Sequence, residues 1–404
     1  MSPKALVHSI DKDAPSPQWI AALRQQFPTE REVDRLLTRK LERRAGPGFQ
    51  PPSFEVLVSG LRSLLRAHDI GAFEISDARW LAGGASKVQM AFDLSWQRPG
   101  VGHERTPMVL RMEPAESIVE TSRQREFELL RAFQGVVPVP PVFWCDPEGE
   151  YLPYPALIYG FAQGVTKSSD ASSGVSGLGT RLPPRLRPLL APQFIEHLAT
   201  IHTHDYRTAN LAAFDVPQPG IQCALWGVNW WNRVWEEDAD EEEPLLAAAA
   251  VWLRRNMPHL DRPVIVHADY RVGNFLFTEP EGRITAWLDW ELGRIGDRHQ
   301  DLAWTTSTAF GHHREEDNVF LVCGLMPEEA FFEAYERASG LTIQRKSLHW
   351  YKVYNAYTMA ILSLGTGYRI ARNRKTHQDV LATWLMGVGY MLQDEIRGLI
   401  EESS

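Results

Sequence analysis

The sequence predicts an α+β protein built in two parts, an antiparallel, β-rich N-terminal part and a mainly helical C-terminal part. Three observations predict it. Val88, Met90, Phe92, Leu94 and Trp96 alternate with Lys87, Gln89, Ala91, Asp93 and Ser95, the period of a strand with two unlike faces. Short apolar runs at Met108–Met112 and Ala156–Phe161 follow a glycine-rich turn and a proline-marked crossing, as further short strands do. From about residue 165 the apolar positions recur with helical spacing over Gln193–Thr203, Pro244–Asn256, Pro327–Ala338, Leu348–Leu364 and His377–Ile400.

Taken in order, residues 1–52 are polar, rich in Arg and Glu, and close on Gly46-Pro47-Gly48-Phe49-Gln50-Pro51-Pro52, so they read as an appended helical arm with a linker. Phe54, Leu57, Leu61, Leu64 and Leu65 then mark one amphipathic helix, which opens a β-rich unit over 53–163; the helical unit takes 164–404. Gly83-Gly84-Ala85-Ser86 sits just before the alternating strand. Ser122–Phe133 reads as a helix whose inner stripe is Glu126, Leu129, Leu130 and Phe133. A carboxylate in line with an apolar face needs a cation, and Arg111, the one charge within Met108–Met112, is the candidate partner. The acidic run Glu236-Glu237-Asp238-Ala239-Asp240-Glu241-Glu242-Glu243 reads as a solvated loop.

Composition removes several classes of function. The 404 residues carry 42 Lys+Arg against 51 Asp+Glu, a net charge of −9, and no dense basic run, which argues against a nucleic-acid partner. Apolar content of 44% and charged content of 23% are those of an ordinary globular chain. The three cysteines, Cys145, Cys223 and Cys323, lie far apart and read as reduced thiols instead of a zinc or redox pair. The start, Met-Ser-Pro-Lys-Ala-Leu-Val-His, lacks an apolar signal core and no run approaches a membrane span, so a cytoplasmic protein without a membrane partner is expected.

The chemistry concentrates in an island of strand between helices. Val264-Ile265-Val266-His267-Ala268-Asp269-Tyr270-Arg271-Val272-Gly273-Asn274 leads into Phe275-Leu276-Phe277, a turn, and Ile284-Thr285-Ala286-Trp287-Leu288-Asp289. Pairing Phe277 with Ile284, or a register shifted from it by a residue or two, brings Asn274 and Asp289 to the same open end of a hairpin, beside the loop that bears Asp269. An amide and a carboxylate suit a hard cation such as Mg²⁺, and Asp269 is left to accept a proton from an attacking hydroxyl.

At His267-x-Asp269-x-Arg271-x-x-Asn274 and Asp289-Trp290-Glu291 the chain resembles the aminoglycoside phosphotransferase family, whose two-lobed fold is that of the protein kinases. The glycine loop, Arg111, Glu126, Ile158-Tyr159-Gly160-Phe161 and Asp301-Leu302-Ala303-Trp304 fall in the family's order over roughly residues 78 to 370. The phrasing is most similar to the branch of kinase-like domains fused to acyl-CoA dehydrogenases. The resemblance implies that Asp269 is the catalytic base and that Asn274 and Asp289 hold Mg²⁺. It implies further that Arg271 meets the γ-phosphate and that Arg111, steered by Glu126, meets the α- and β-phosphates of ATP. Gly83, Gly84 and Ser86 would cover the phosphates, Tyr159 to Phe161 would receive the adenine, and Asp301 would brace the catalytic loop. His267 is read as a loop-bracing residue. Glu291 stands where protein kinases carry glycine, and metal support, a place behind the metal and a place on the surface are all open for it.

No protein-kinase activation segment lies between Asp289 and Asp301, so the expected acceptor is a small-molecule hydroxyl and no protein substrate is expected. Trp226, Trp230, Trp231 and Trp235 recur at helical spacing, as core residues do. In family order their segment borders the acceptor cleft, so Trp226, Trp230 and Trp231 are candidates for an acceptor pocket. Such a pocket suits a bulky, apolar acceptor, for example a hydroxyacyl-CoA or a hydrophobic alcohol. A nucleotide-binding pseudokinase and an aminoglycoside O-phosphotransferase are the competing readings, the latter favoured only by the acidic run. The oligomeric state stays open, a homodimer included.

Overall fold

The computed structural model describes residues 11–81, 87–169, 178–179, 181–377 and 379–402. Gly83, Gly84 and Ser86 therefore lie outside the described residues. Three helices come first: α1 (Pro17–Gln26), α2 (Arg31–Arg43) and α3 (Phe54–Ala67). Five strands follow: β1 (Phe73–Trp80), β2 (Val88–Arg98), β3 (Gly102–Met112), β4 (Val142–Asp146) and β5 (Ala156–Gly160), with α4 (Arg123–Phe133) between β3 and β4. Every neighbouring pair is antiparallel and the spatial order is β1-β2-β3-β5-β4.

The alternation in β2 does what its period implies. Val88, Met90, Phe92, Leu94 and Trp96 are buried on the face covered by Leu57, Leu61, Leu64 and Leu65 of α3. Strand β3 reaches back to Gly102, beyond the apolar run at Met108–Met112, because its polar half pairs with β2 through the backbone, which needs no apolar side chain. On the other side of the sheet, Leu129, Leu130 and Phe133 of α4 belong to the large core of the helical part. Helix α4 thus packs between the two parts.

The helical part begins with α5 (Arg187–Thr203), α6 (Gln222–Asp238) and α7 (Pro244–Arg255). Four short strands follow, β6 (Val264–Val266), β7 (Phe275–Phe277), β8 (Ile284–Trp287) and β9 (Arg294–Gly296), paired as β6 with β9 and β7 with β8. Then come α8 (His299–Thr305) and a small sheet of β10 (His312–His313), β11 (Phe320–Val322) and β12 (Met326–Pro327). The chain closes with α9 (Glu328–Ser339), α10 (Arg345–Ile361), α11 (Tyr368–Arg372) and α12 (Asp379–Glu402). Among the described residues no helix is long and apolar enough to cross a membrane. All three cysteines are unpaired, and burial pushes the thiols of Cys145 and Cys323 up to about 12.

The structure departs from two sequence expectations. The N-terminal helices are not merely appended: Val33 and Leu37 of α2 join the main core beside Trp230, Trp231 and Val234. The acidic run is only partly solvated, because its first half completes α6. Glu237 and Asp238 are buried there, where Lys40 bridges Glu237 at 2.7 Å and Asp238 at 3.1 Å, and Arg44 reaches Asp238 at 2.6 Å. Arg233, one turn earlier on α6, also pairs with Glu237 at 2.7 Å, but Lys40 and Arg44 lie nearly two hundred residues away, so sequence patterning missed their link to the run.

Candidate active site

The β7–β8 hairpin pairs Phe277 with Ile284, the expected register. The Leu288 N–H donates to the Asn274 carbonyl at 2.8 Å, which sets Asn274 next to Asp289. Two residues in left-handed backbone shape the site, Ala268 with φ 64° and Asp289 with φ 57°. A non-glycine residue there carries strain that the surroundings must hold. Asp301 does so for Ala268: its carboxylate accepts from the His267 N–H at 2.7 Å and the Ala268 N–H at 2.6 Å. His202 meets the same carboxylate at 3.0 Å and Tyr335 behind it at 2.8 Å. The His267 Nε2 lies 2.9 Å from the Leu288 carbonyl, tying the loop of Asp269 to that of Asp289. Burial pulls the His267 imidazole below its ordinary range, so the ring is neutral and braces the loop.

Asp269 is held from three sides. Its Oδ2 accepts from the Asn274 amide at 2.6 Å, and its Oδ1 accepts from Arg271 Nε at 2.8 Å and from Trp304 Nε1 at 2.6 Å. With the nitrogen of Asn274 spent on Asp269, its amide oxygen has no hydrogen bond among the described residues. That oxygen and the Asp289 carboxylate, whose side chain is 38% exposed, form a two-oxygen donor set that fits Mg²⁺. Among the described residues no cluster of three or more His, Cys, Asp or Glu side chains could hold a metal. The remaining ligands would have to come from water and phosphates.

Arg111 lies behind this pair. Its guanidinium meets Asp289 at 2.5 Å, Glu291 at 3.1 Å and Glu126 at 3.6 Å, so the ion pair expected between β3 and α4 is present. These carboxylates hold the Arg111 guanidinium charged despite its burial. Burial raises the Glu126 carboxyl and the two neighbouring guanidiniums oppose that rise. Sequence reading missed two further cations. Arg123 pairs with Glu126, with Glu113 at 2.8 Å and with Glu291 at 3.1 Å, while Lys87 reaches Glu113 at 2.9 Å and Glu291 at 3.4 Å. Arg123 stands one helical turn before Glu126, the spacing that could have revealed it. Glu291 is thereby turned toward Lys87, Arg111 and Arg123, which places it behind Asp289.

The two aromatic regions separate. Trp230 and Trp231 are buried and stacked at 5.1 Å, lining one small cavity with Leu37, Val119 and Glu120; Trp226 is half-buried. The indole that touches Asp269 is Trp304, packed on Phe310 at 5.0 Å, and the Arg271 guanidinium lies over the same Phe310 ring at 5.0 Å. At the end of β5, Tyr159 is buried and Phe161 is 42% exposed, with the Phe161 N–H bound to the Pro107 carbonyl at 2.9 Å.

Glu120 offers a pH test. Burial, reinforced by Glu113, pushes its carboxyl up to about 7. A carboxyl raised in the folded state favours folding fully below its unfolded value near 4.5 and loses that contribution as pH rises through 7. Glu120→Gln is therefore expected to add about 1–2 kcal/mol of stability at pH 8 and almost none at pH 4. Urea titrations at the two pH values check this, and an equal effect at both would remove the cause assigned.

A model of the phosphotransferase enzyme family matches residues 98–350, more than half of the chain. The chain belongs to the phosphotransferase enzyme family. Family relatives include acyl-CoA dehydrogenase family member 11 of Pongo abelii, 25% identical over 286 residues, which are 67% of this chain and 35% of that protein. The Gallus gallus protein of the same name is 30% identical over 179 residues, 42% of this chain and 23% of that one. The chain thus spans about a third of the length of the first of these relatives. Among solved structures, a Ralstonia eutropha chain described as an aminoglycoside phosphotransferase superposes with TM-score 0.62 at 20% identity, covering 88% of this chain and 99% of that one. The Plasmodium vivax ethanolamine kinase superposes with TM-score 0.54 at 12% identity, covering 92% and 96%. These likenesses establish the kinase-like α+β fold of this phosphotransferase-family chain.

Proposed function

We propose that this phosphotransferase-family chain transfers the γ-phosphoryl group of ATP, with Mg²⁺, to the hydroxyl of a bulky, apolar small molecule such as a hydroxyacyl-CoA or a hydrophobic alcohol. The observation that carries the reading is the Asp269 carboxylate, fixed by Asn274, Arg271 and Trp304 beside the oxygen pair of Asn274 and Asp289. Phosphoryl transfer asks a protein chiefly for position and charge neutralisation. Asp269 takes the proton of the acceptor hydroxyl. Asn274 and Asp289 would hold Mg²⁺, which would offset the negative charge of the phosphates. Arg271 faces the γ-phosphate and Arg111, steered by Glu126, the α- and β-phosphates. Tyr159 with Phe161 receives the adenine.

Support for an apolar acceptor comes from Trp304 and Phe310 beside the base, and from relatives named for acyl-CoA dehydrogenases. Burial of Glu237 and Asp238 in ion pairs takes away part of the acidic run that favoured an aminoglycoside. The test is ADP release with Mg-ATP against hydroxyacyl-CoAs, apolar alcohols and aminoglycosides. Stimulation by either of the first two classes is expected. Stimulation by aminoglycosides alone would replace the acceptor class, and silence throughout despite nucleotide binding would favour the pseudokinase.

A further inference from the structure

Helix α2 and the turn before it touch both parts of the molecule through buried charges. On the helical part, Lys40 and Arg44 hold Asp238, and Arg233 of α6 holds Asp34 at 2.6 Å. Asn229 of the same helix donates to the Pro28 carbonyl at 2.7 Å. On the other side the buried contacts centre on α4 and the connection that leads into it. Arg125 of α4 meets Glu30 at 2.6 Å, each side chain only 6% exposed, and Ser122, which caps α4, donates to Glu32 at 2.6 Å. Arg44 also reaches Glu116, in the connection between β3 and α4, at 3.3 Å. Helix α4 is the one that carries Glu126 to Arg111.

We propose that the N-terminal arm is a positioning clamp for phosphoryl transfer, in which Glu30 and Glu32 fix α4 so that Glu126, itself paired with Arg123, holds Arg111 against Asp289. The arm lies outside residues 98–350 matched by the family model. The inference rests on the proposed reading of Arg111 as the cation for nucleotide phosphates. The physical basis is an unbalanced pair. Arg125 Nε bonds the Ala213 carbonyl at 3.0 Å and its guanidinium lies over the Phe214 ring at 4.8 Å, yet Glu30 is the only carboxylate paired with it among the described residues. Removing one partner leaves a buried charge uncompensated, and α4 must shift to rehydrate it. A shift of α4 moves Glu126 away from Arg111 and carries Arg123, the partner of Glu113 and Glu291, with it. A ligand that needs the aligned state then binds more weakly in proportion to the fraction of molecules still aligned.

The experiment compares Mg-ATP affinity by calorimetry, which needs no acceptor, for the unaltered full chain, Glu30→Arg, Arg125→Glu and the double exchange. Each single reversal is expected to raise Kd about tenfold, an aligned fraction of about one tenth. The double exchange is expected to restore Kd to within about threefold. Arg24→Ala, which removes an exposed pair with Asp34 elsewhere on the arm, is the control and should leave Kd unchanged. All are measured well below their melting temperatures, so that lost stability alone does not register. Single reversals that melt earlier but bind as tightly as the unaltered chain would overturn the clamp. So would a double exchange that is folded but no better than the singles. Absence of Mg-ATP binding by the unaltered chain would overturn the nucleotide reading and the clamp with it, which distinguishes that failure from equal affinities.

Discussion

In Asp269→Ala, transfer to the acceptor hydroxyl is expected to fall about 10³-fold at saturating Mg-ATP, while nucleotide affinity stays within about threefold. Among the described residues, the Asp269 carboxylate is the oxygen pair that accepts from both Arg271 and Asn274. It takes no part in holding Arg111, whose partners are Glu126, Asp289 and Glu291. Binding and transfer should therefore separate. Asp269→Asn sharpens the result, since it keeps an oxygen for Trp304 and Arg271 but cannot take up the proton. Single-turnover measurements with both variants check it; transfer at an undiminished rate in Asp269→Asn would remove the proposed base.

A comparably large effect, on stability, is expected at Asp301. Its fully buried carboxylate satisfies two backbone N–H groups and His202. Asp301→Ala leaves those donors without a partner, each at a cost of about 1–3 kcal/mol, and releases Ala268 from its left-handed conformation. The expected loss is about 3–5 kcal/mol in denaturant unfolding, with Asp301→Asn intermediate because it retains one acceptor oxygen. A loss below about 1 kcal/mol in Asp301→Ala would show that the loop is braced from elsewhere.

Much of the site was legible because its residues are close in sequence and follow a hairpin. Asn274 and Asp289 meet at the open end of the hairpin, where the pairing of Phe275 with Trp287, one residue shifted from that of Phe277 with Ile284, brings Asn274 to Leu288. The pairing of Arg111 with Glu126 was legible for a different reason: each is a charge set among apolar residues, which demands a partner. Lys87, Glu113 and Arg123 carried no such mark, since each lies at the end of an element where charge is ordinary. The same holds for the arm. Its Arg- and Glu-rich composition is that of an exposed helix, and only the fold brings Lys40 and Arg44 to Asp238 and Glu30 to Arg125. Trp304 shows a further limit. Its indole was visible as part of Asp301-Leu302-Ala303-Trp304, but its bond to Asp269 depends on how α8 docks against the loop, which spacing does not encode.

The sharing of Glu113, Glu126 and Glu291 among Lys87, Arg111 and Arg123 has a genetic consequence. Groups that share partners do not respond independently, so the effects of altering them will not add. Once Glu291 is neutralised, Arg111 keeps Asp289 and Glu126 while Lys87 and Arg123 share Glu113, and a second change that removes Lys87 should then cost less than it does in the original background. A substitution tolerated in one relative can thus be harmful in another. Functional variation at these six positions is expected to move in matched pairs of opposite charge.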